Sequence, residues 1–172
     1  QYLDIVKKIR AAAPDAAVST DFIVGYPGET EADFKKTLSL VGESGVSFAY
    51  CFKYSRRPNT AALTLFQEQD EIDESVKRER LGRLIALQDT IALELNQELV
   101  GKEVEVLVEG PGKHISSAKG RTPQNTLVIA EVLEPAALDG TNGYSAGLAG
   151  ELLRVQIEQA TAHTLRGRVV LQ

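Results

Sequence analysis

Asp21-Phe22-Ile23-Val24-Gly25-Tyr26-Pro27-Gly28-Glu29-Thr30 runs from an apolar, β-branched stretch through a Gly-x-Pro-Gly turn to a residue type that caps helices. The change of period at this point decides the fold class. A strand is predicted over 17–25 and expected to be mostly buried, as parallel strands are. Tyr26-Pro27-Gly28 breaks it. Thr30 then caps a helix with Asp33 at its third position and Phe34, Leu38 and Val41 along one face, closed by Gly45. Upstream, Leu3, Val6 and Ile9 recur at helical spacing and predict a helix over 2–13, stopped by Pro14. Downstream, Val46 to Tyr54 is a second apolar run. Helix, strand, helix, strand is the order of βα units on a parallel sheet.

Residues 55–70 read as a loop that begins Ser55-Arg56-Arg57-Pro58-Asn59-Thr60. A long helix follows from about Ile72 to Val100, with Leu81, Leu84, Ile85, Gln88, Ile91, Ala92, Leu95 and Leu99 on one stripe and the charged residues opposite. Beyond Gly101 the period changes to short alternating segments, Lys102–Glu109, Thr126–Val132, Leu152–Glu158 and Thr164–Leu171, separated by glycine-containing turns. That predicts a small antiparallel β-barrel after the α/β part, with domains 1–98 and 99–172. The stretch 139–147 has no apolar period and is expected to be a mobile loop. So few βα units cannot close a barrel, so the α/β part is expected to be a fragment of a larger sheet, with a strand edge and an apolar face uncovered.

Hydrophobic residues make up 43% and charged residues 25% of the 172, the balance of a folded protein rather than a disordered one. No stretch approaches the roughly 20 apolar residues of a membrane helix, and the first residues lack a signal peptide's apolar centre. A cytosolic protein with no membrane partner is expected. There is no methionine, so the natural chain is expected to begin upstream. A single cysteine, Cys51, allows no internal disulfide, and one thiolate cannot hold an iron–sulfur cluster. No catalytic or metal-ligating residue is therefore assigned within this chain.

The net charge of −5 argues against recognition of nucleic acid by bulk charge. Residues 1–98 hold 12 Lys and Arg against 16 Asp and Glu, and residues 99–172 hold 7 against 8, so any RNA contact must be a local patch. One such patch is Lys113, His114, Lys119 and Arg121 followed by Gln124 and Asn125, extended by Arg166 and Arg168. Cations neutralise phosphates, and amides meet base edges or ribose hydroxyls. The alternative is a solvated hairpin. Arg56 and Arg57 suit phosphate by bidentate hydrogen bonding, or are solvated loop arginines. Asp21, on a buried strand, needs a partner, either a loop-fixing hydrogen bond or a substrate. Cys51 reads as a small core residue before a nucleophile.

Three motifs carry a resemblance. DFIVGYPGETEADF (21–34) resembles the fifth-strand segment of radical S-adenosylmethionine enzymes, and SFAYCFKYSRRPNTAA (47–62) the sixth strand and following loop of their methylthiotransferase branch. GPGKHISSAKGRTPQNTLVIAE (110–131) resembles the signature of the TRAM domain. The resemblance implies an α/β part from the C-terminal side of a radical S-adenosylmethionine partial (β/α) barrel, then an RNA-binding, OB-like β-barrel. It implies S-adenosylmethionine and two 4Fe–4S clusters as cofactors of a full-length enzyme, none bound through ligands of this chain, so that the fragment alone is inactive. It implies that Gly25, Pro27, Gly28 and Glu29 wall the S-adenosylmethionine site, with Asp21 further down the strand. The implied reaction replaces hydrogen at C2 of N6-isopentenyladenosine beside the tRNA anticodon with a methylthio group. The implied partners are the anticodon stem-loop and sulfur or iron–sulfur supply proteins. A threonylcarbamoyladenosine enzyme, a ribosomal-protein aspartate enzyme and a noncatalytic RNA-binding module are the alternatives. The family's loop is commonly Ser-Pro-Arg-Pro-Gly-Thr, so Arg57 matches it while Arg56 and Asn59 depart.

Overall fold

The computed structural model describes residues 1–67, 70–114, 116–132 and 146–170. The chain forms two compact units, Gln1–Ile91 and Ala92–Gln172. The first holds α1 (Tyr2–Ala12), β1 (Ser19–Val24), α2 (Glu31–Ser44), β2 (Phe48–Lys53), α3 (Ala61–Leu65) and most of α4 (Glu74–Gln97). The second holds β3 (Glu103–Pro111), β4 (Ser117–Arg121), β5 (Leu127–Glu131), β6 (Leu152–Ala160) and β7 (Thr164–Val169).

In the first unit β1 and β2 pair in parallel, from Ser19 opposite Phe48 to Val24 opposite Lys53. The turn chemistry read from the sequence is present. The Thr30 hydroxyl accepts from the Asp33 amide at 3.2 Å while the Asp33 carboxylate accepts from the Thr30 amide, a reciprocal cap that starts α2. The Thr30 hydroxyl also donates to that carboxylate, and Lys36 sits 3.0 Å from it. Together they hold Asp33 down to about 2, the Thr30 hydrogen bond contributing most. Phe22, Val24, Phe34, Val41, Val46 and Leu84 form the core.

Three expectations need correction. β1 is buried on one face only: Phe22 and Val24 point into the core, while Ser19, Asp21 and Ile23 are exposed. Helices cover a single face of this two-stranded sheet, so Asp21 is not a buried carboxylate. On α4 the buried phase includes charge, since Lys77 and Arg80 are each 5% exposed, whereas Ile85 and Leu95, read as stripe residues, are exposed. Long cationic side chains lay their stems on apolar surface and satisfy the head elsewhere, so polarity alone misplaced the stripe's edge. The loop 55–70 contains the short α3. The expectation of an uncovered apolar face agrees with the structure: Ile23, Phe48, Tyr50 and Phe52 are each at least 44% exposed.

The second unit is a closed barrel in the order β3-β4-β5-β7-β6. All pairings are antiparallel except β5 with β7, which is parallel. Val106, Val128, Ala130, Val155, Ile157 and Leu165 fill it, the inward members of each strand's alternation. Two glycines permit the close strand approach. A Cβ at Gly120 would lie 2.3 Å from the Leu107 carbonyl oxygen, and one at Gly167 would lie 2.0 Å from that of Gln156. Of the loop expected at 139–147, residues 139–145 lie outside the described residues, and Ala146–Leu148 form one 3-10 turn. No helix among the described residues is long and apolar enough to cross a membrane.

Candidate functional site

The Gly25–Glu29 turn stands at the C-terminal ends of the parallel strands, where α/β folds place ligand-binding loops. Its conformation is held from within. The Glu29 carboxylate accepts from the Gly25 amide at 2.9 Å and from Arg80 Nη1 at 2.5 Å, and Arg80 also donates to the Glu29 carbonyl at 3.0 Å. Both side chains are largely buried, 10% and 6% exposed. The Gly28 amide donates to the Asp70 carbonyl and the Glu29 amide to that of Tyr26. Gly25 has φ +70, and a Cβ there would meet Lys77 Cγ at 2.5 Å, so the residue must be glycine both for its backbone and for the lysine stem beside it. The Gly25, Gly28 and Glu29 amides, the kind that make such loops anion cradles, are therefore engaged already. The turn offers a fixed wall, with Tyr26 and Gly28 exposed and Pro27 buried.

Tyr26 meets Tyr54 and Phe66 edge-on, with ring centroids 5.2 and 5.6 Å apart, and Lys77 Nζ lies 5.6 Å from the Tyr54 centroid. Glu71 sits between two cations, 3.1 Å from Arg56 and 3.8 Å from Lys77. Arg56 is thus committed to a carboxylate, while the Arg57 side chain is exposed and has no described ion-pair partner. Asp21 lies opposite Tyr50 on the open sheet face, away from the turn that holds Gly25, Pro27, Gly28 and Glu29. Cys51 is half-buried, and burial, with Asp89 second, pushes its thiol upward, as befits a packing residue. Among the described residues no cluster of three or more His, Cys, Asp or Glu could hold a metal ion.

On the barrel the structure sorts the sequence's cations into two groups. Arg121 Nε is 3.0 Å from Glu109 while its Nη1 donates to the Asn125 carbonyl at 2.9 Å, and Arg168 Nε is 2.5 Å from Glu158. Those two are paired. Lys119 and Arg166 lie on one outward row, joined through Ile129 across β4, β5 and β7, and make no ion pair with a described residue. Lys113 and His114 are exposed just before β4. Gln124 is exposed, and Asn125, at φ +65, forms the turn whose amide donates to the Thr122 carbonyl. Asn125 therefore has a backbone reason to be there, since asparagine tolerates this left-handed conformation.

Residues 97–170 match the model of the family described as the TRAM domain. That segment, which contains all five barrel strands, is similar to TRAM domains. Similarity extends well beyond it. Over 169 residues, 98% of this chain, the sequence is 46% identical to a tRNA-2-methylthio-N(6)-dimethylallyladenosine synthase of Thermus thermophilus, covering 33% of that protein. The proteins of the same name from a Thermoanaerobacter species and from Xanthomonas euvesicatoria are 41% and 40% identical, over 98% and 96% of this chain and 33% and 31% of their own lengths. The chain spans about a third of the length of these relatives.

The sequence reading missed Arg80 and Lys77, which shape the Gly25–Glu29 turn from α4. A signal for both was available: Lys77, Arg80, Leu84 and Gln88 repeat at steps of three and four, so both cations fall on the helix's buried phase.

Proposed function

We propose that this chain is the C-terminal third of an enzyme that adds a methylthio group to C2 of N6-dimethylallyladenosine in tRNA, with residues 1–98 walling the S-adenosylmethionine site and residues 99–172 holding the tRNA. The observation that carries this reading is that similarity to synthases of that name runs through both units, not through the TRAM domain alone.

The residues present fit a wall and not a cluster. One cysteine cannot supply the three or four ligands a cluster needs, so the iron–sulfur clusters belong to other parts of the enzyme. The exposed sheet face, with Asp21, Ile23, Tyr50 and Phe52, together with Gly28 and Tyr26 at its end, is an apolar surface bearing one carboxylate, which suits a cationic sulfonium nucleoside. S-adenosylmethionine, if held there, would supply a hydrogen-abstracting carbon radical once one electron from a reduced cluster elsewhere in the enzyme cleaved its sulfonium C–S bond and released methionine. Glu29, locked by Arg80, acts on this site by setting the course of the turn. Tight burial of that pair keeps the wall fixed.

On the barrel, Lys119 and Arg166, which make no ion pair with a described residue, are offered to phosphate, as are Lys113 and His114, exposed just before β4; Arg57 is a separate candidate on the α/β unit. The expected RNA is the anticodon stem-loop, and the enzyme is expected in the cytosol, where sulfur and iron–sulfur supply proteins restore its clusters. Mass spectrometry of tRNA nucleosides from the source organism tests the assignment. Deletion of the gene encoding this chain should abolish 2-methylthio-N6-dimethylallyladenosine and leave N6-dimethylallyladenosine in its place; persistence of the methylthio nucleoside refutes it.

A further inference from the structure

The TRAM barrel carries a groove of about 410 Å³ formed by the outward side chains of β3 and β6 and by the turn after β4. Its floor is the directly paired Leu107 and Leu152, which remain 48% and 60% exposed. Pro123 forms an apolar wall. Arg121 lines the same groove, its guanidinium fixed at Nε by Glu109 and at Nη1 by the Asn125 carbonyl. The Glu105 side chain, also in the lining, makes no hydrogen bond or ion pair with a described side chain, although Arg154 stands opposite it on β6.

We infer that this groove receives one unpaired nucleobase with N–H donors on its Watson–Crick edge, guanine above all, read by the Glu105 carboxylate and stacked on Arg121. The inference rests on the RNA-binding reading above and names what the barrel recognises beyond phosphate. Proteins that read unpaired RNA stack splayed bases on aromatic rings or on arginine planes and bond to their edges. Of the described residues that line the groove none is aromatic, so the stacking plane it offers is the Arg121 guanidinium. Arg121 is suited to that task because two bonds already hold it flat, and stacking costs it no further ordering. An unpaired carboxylate beside an RNA site repels phosphates, so its use there is as an acceptor. Guanine offers N1–H and the 2-amino group side by side, matching both carboxylate oxygens. Lys119 lies two residues from Arg121 on β4, roughly 6–7 Å along the strand, within reach of the phosphate of the same nucleotide.

The test uses the full chain and a stem-loop RNA whose loop is uridine except for one position carrying guanosine, inosine or uridine, with affinities from fluorescence anisotropy. Wild type should favour guanosine over uridine by about five-fold or more, with inosine, which lacks the 2-amino group, in between. Glu105→Ala should remove that preference by weakening the guanosine RNA alone. Charge alone predicts the opposite, and tighter binding of all three RNAs to Glu105→Ala overturns the inference. So does a Glu105-dependent affinity for a lysine–leucine peptide with no Glu105 effect on RNA, which would make the groove a protein-docking site. Wild type that binds none of the RNAs refutes the RNA reading itself. Binding that ignores both the base and Glu105 refutes only the groove's role. Glu105 is exposed, and an unchanged melting curve confirms the variant's fold.

Discussion

Arg80→Met isolates the contact that holds the Gly25–Glu29 turn. Methionine retains the stem that packs at this site but removes both donors, leaving the Glu29 carboxylate, 10% exposed, with the Gly25 amide as its remaining partner. Removing one member of a buried ion pair costs about 3–5 kcal/mol, because the other charge stays desolvated and unpaired. For a unit of this size each kilocalorie moves the midpoint by at least about 4 °C, so the α/β unit should melt on the order of 12 °C lower. Differential scanning calorimetry reads this, since both partners of the lost contact belong to the α/β unit. Adding Glu29→Met to Arg80→Met should recover much of the loss, since two apolar side chains carry no desolvated charge. A shift of less than about 4 °C in Arg80→Met would show that the pair contributes no more than an exposed one, near 1 kcal/mol, and would remove the argument that Glu29 is locked.

Thr30→Ala should destabilise α2 by about 1 kcal/mol, measured by urea unfolding. The same change should raise the Asp33 carboxyl from about 2 toward the ordinary range in an NMR titration. Since that group is depressed in the folded state, the stability it gives is present above the usual carboxylate range and is lost as pH falls toward 2; a pH-independent stability there refutes the cap. Cys51 should alkylate with iodoacetamide only at higher pH than free cysteine does, and Asp89→Asn should bring the profile part of the way back, Asp89 being the lesser cause. Gly167→Ala forces a methyl group against the Gln156 carbonyl and should cost the barrel about 1–3 kcal/mol by urea unfolding. In a salt series of RNA binding, Lys119→Ala and Arg166→Ala should each reduce the log–log slope by about 1, and Arg168→Ala, whose side chain is held by Glu158, by less.

The parallel strands, the Thr30 cap, Gly45 and most of the barrel strands were legible because each has a local cause. β4 was not. Ser117-Ala118-Lys119-Gly120-Arg121 has no apolar alternation, and it is a strand because closure of the barrel pairs it on both sides and Gly120 lets β3 come close. Its cations were found as a patch, yet sequence spacing could not tell the paired Arg121 from the unpaired Lys119, since Glu109 reaches Arg121 across a strand pairing. Asp21 was misplaced for a similar reason. Whether a strand is covered on one face or two depends on how many layers surround it, and no property of Asp21 itself records that.

The order of strands around the barrel has a consequence for synthesis. β7 is inserted between β5 and β6, both of which leave the ribosome before it does. Until codons 164–169 are translated, the nascent polypeptide holds two open strand margins, on β5 and β6, and a message broken before that point yields a product with both exposed. Arg166 arrives on that same last stave, so the outward row that joins it to Lys119 through Ile129 is finished only when the cylinder is.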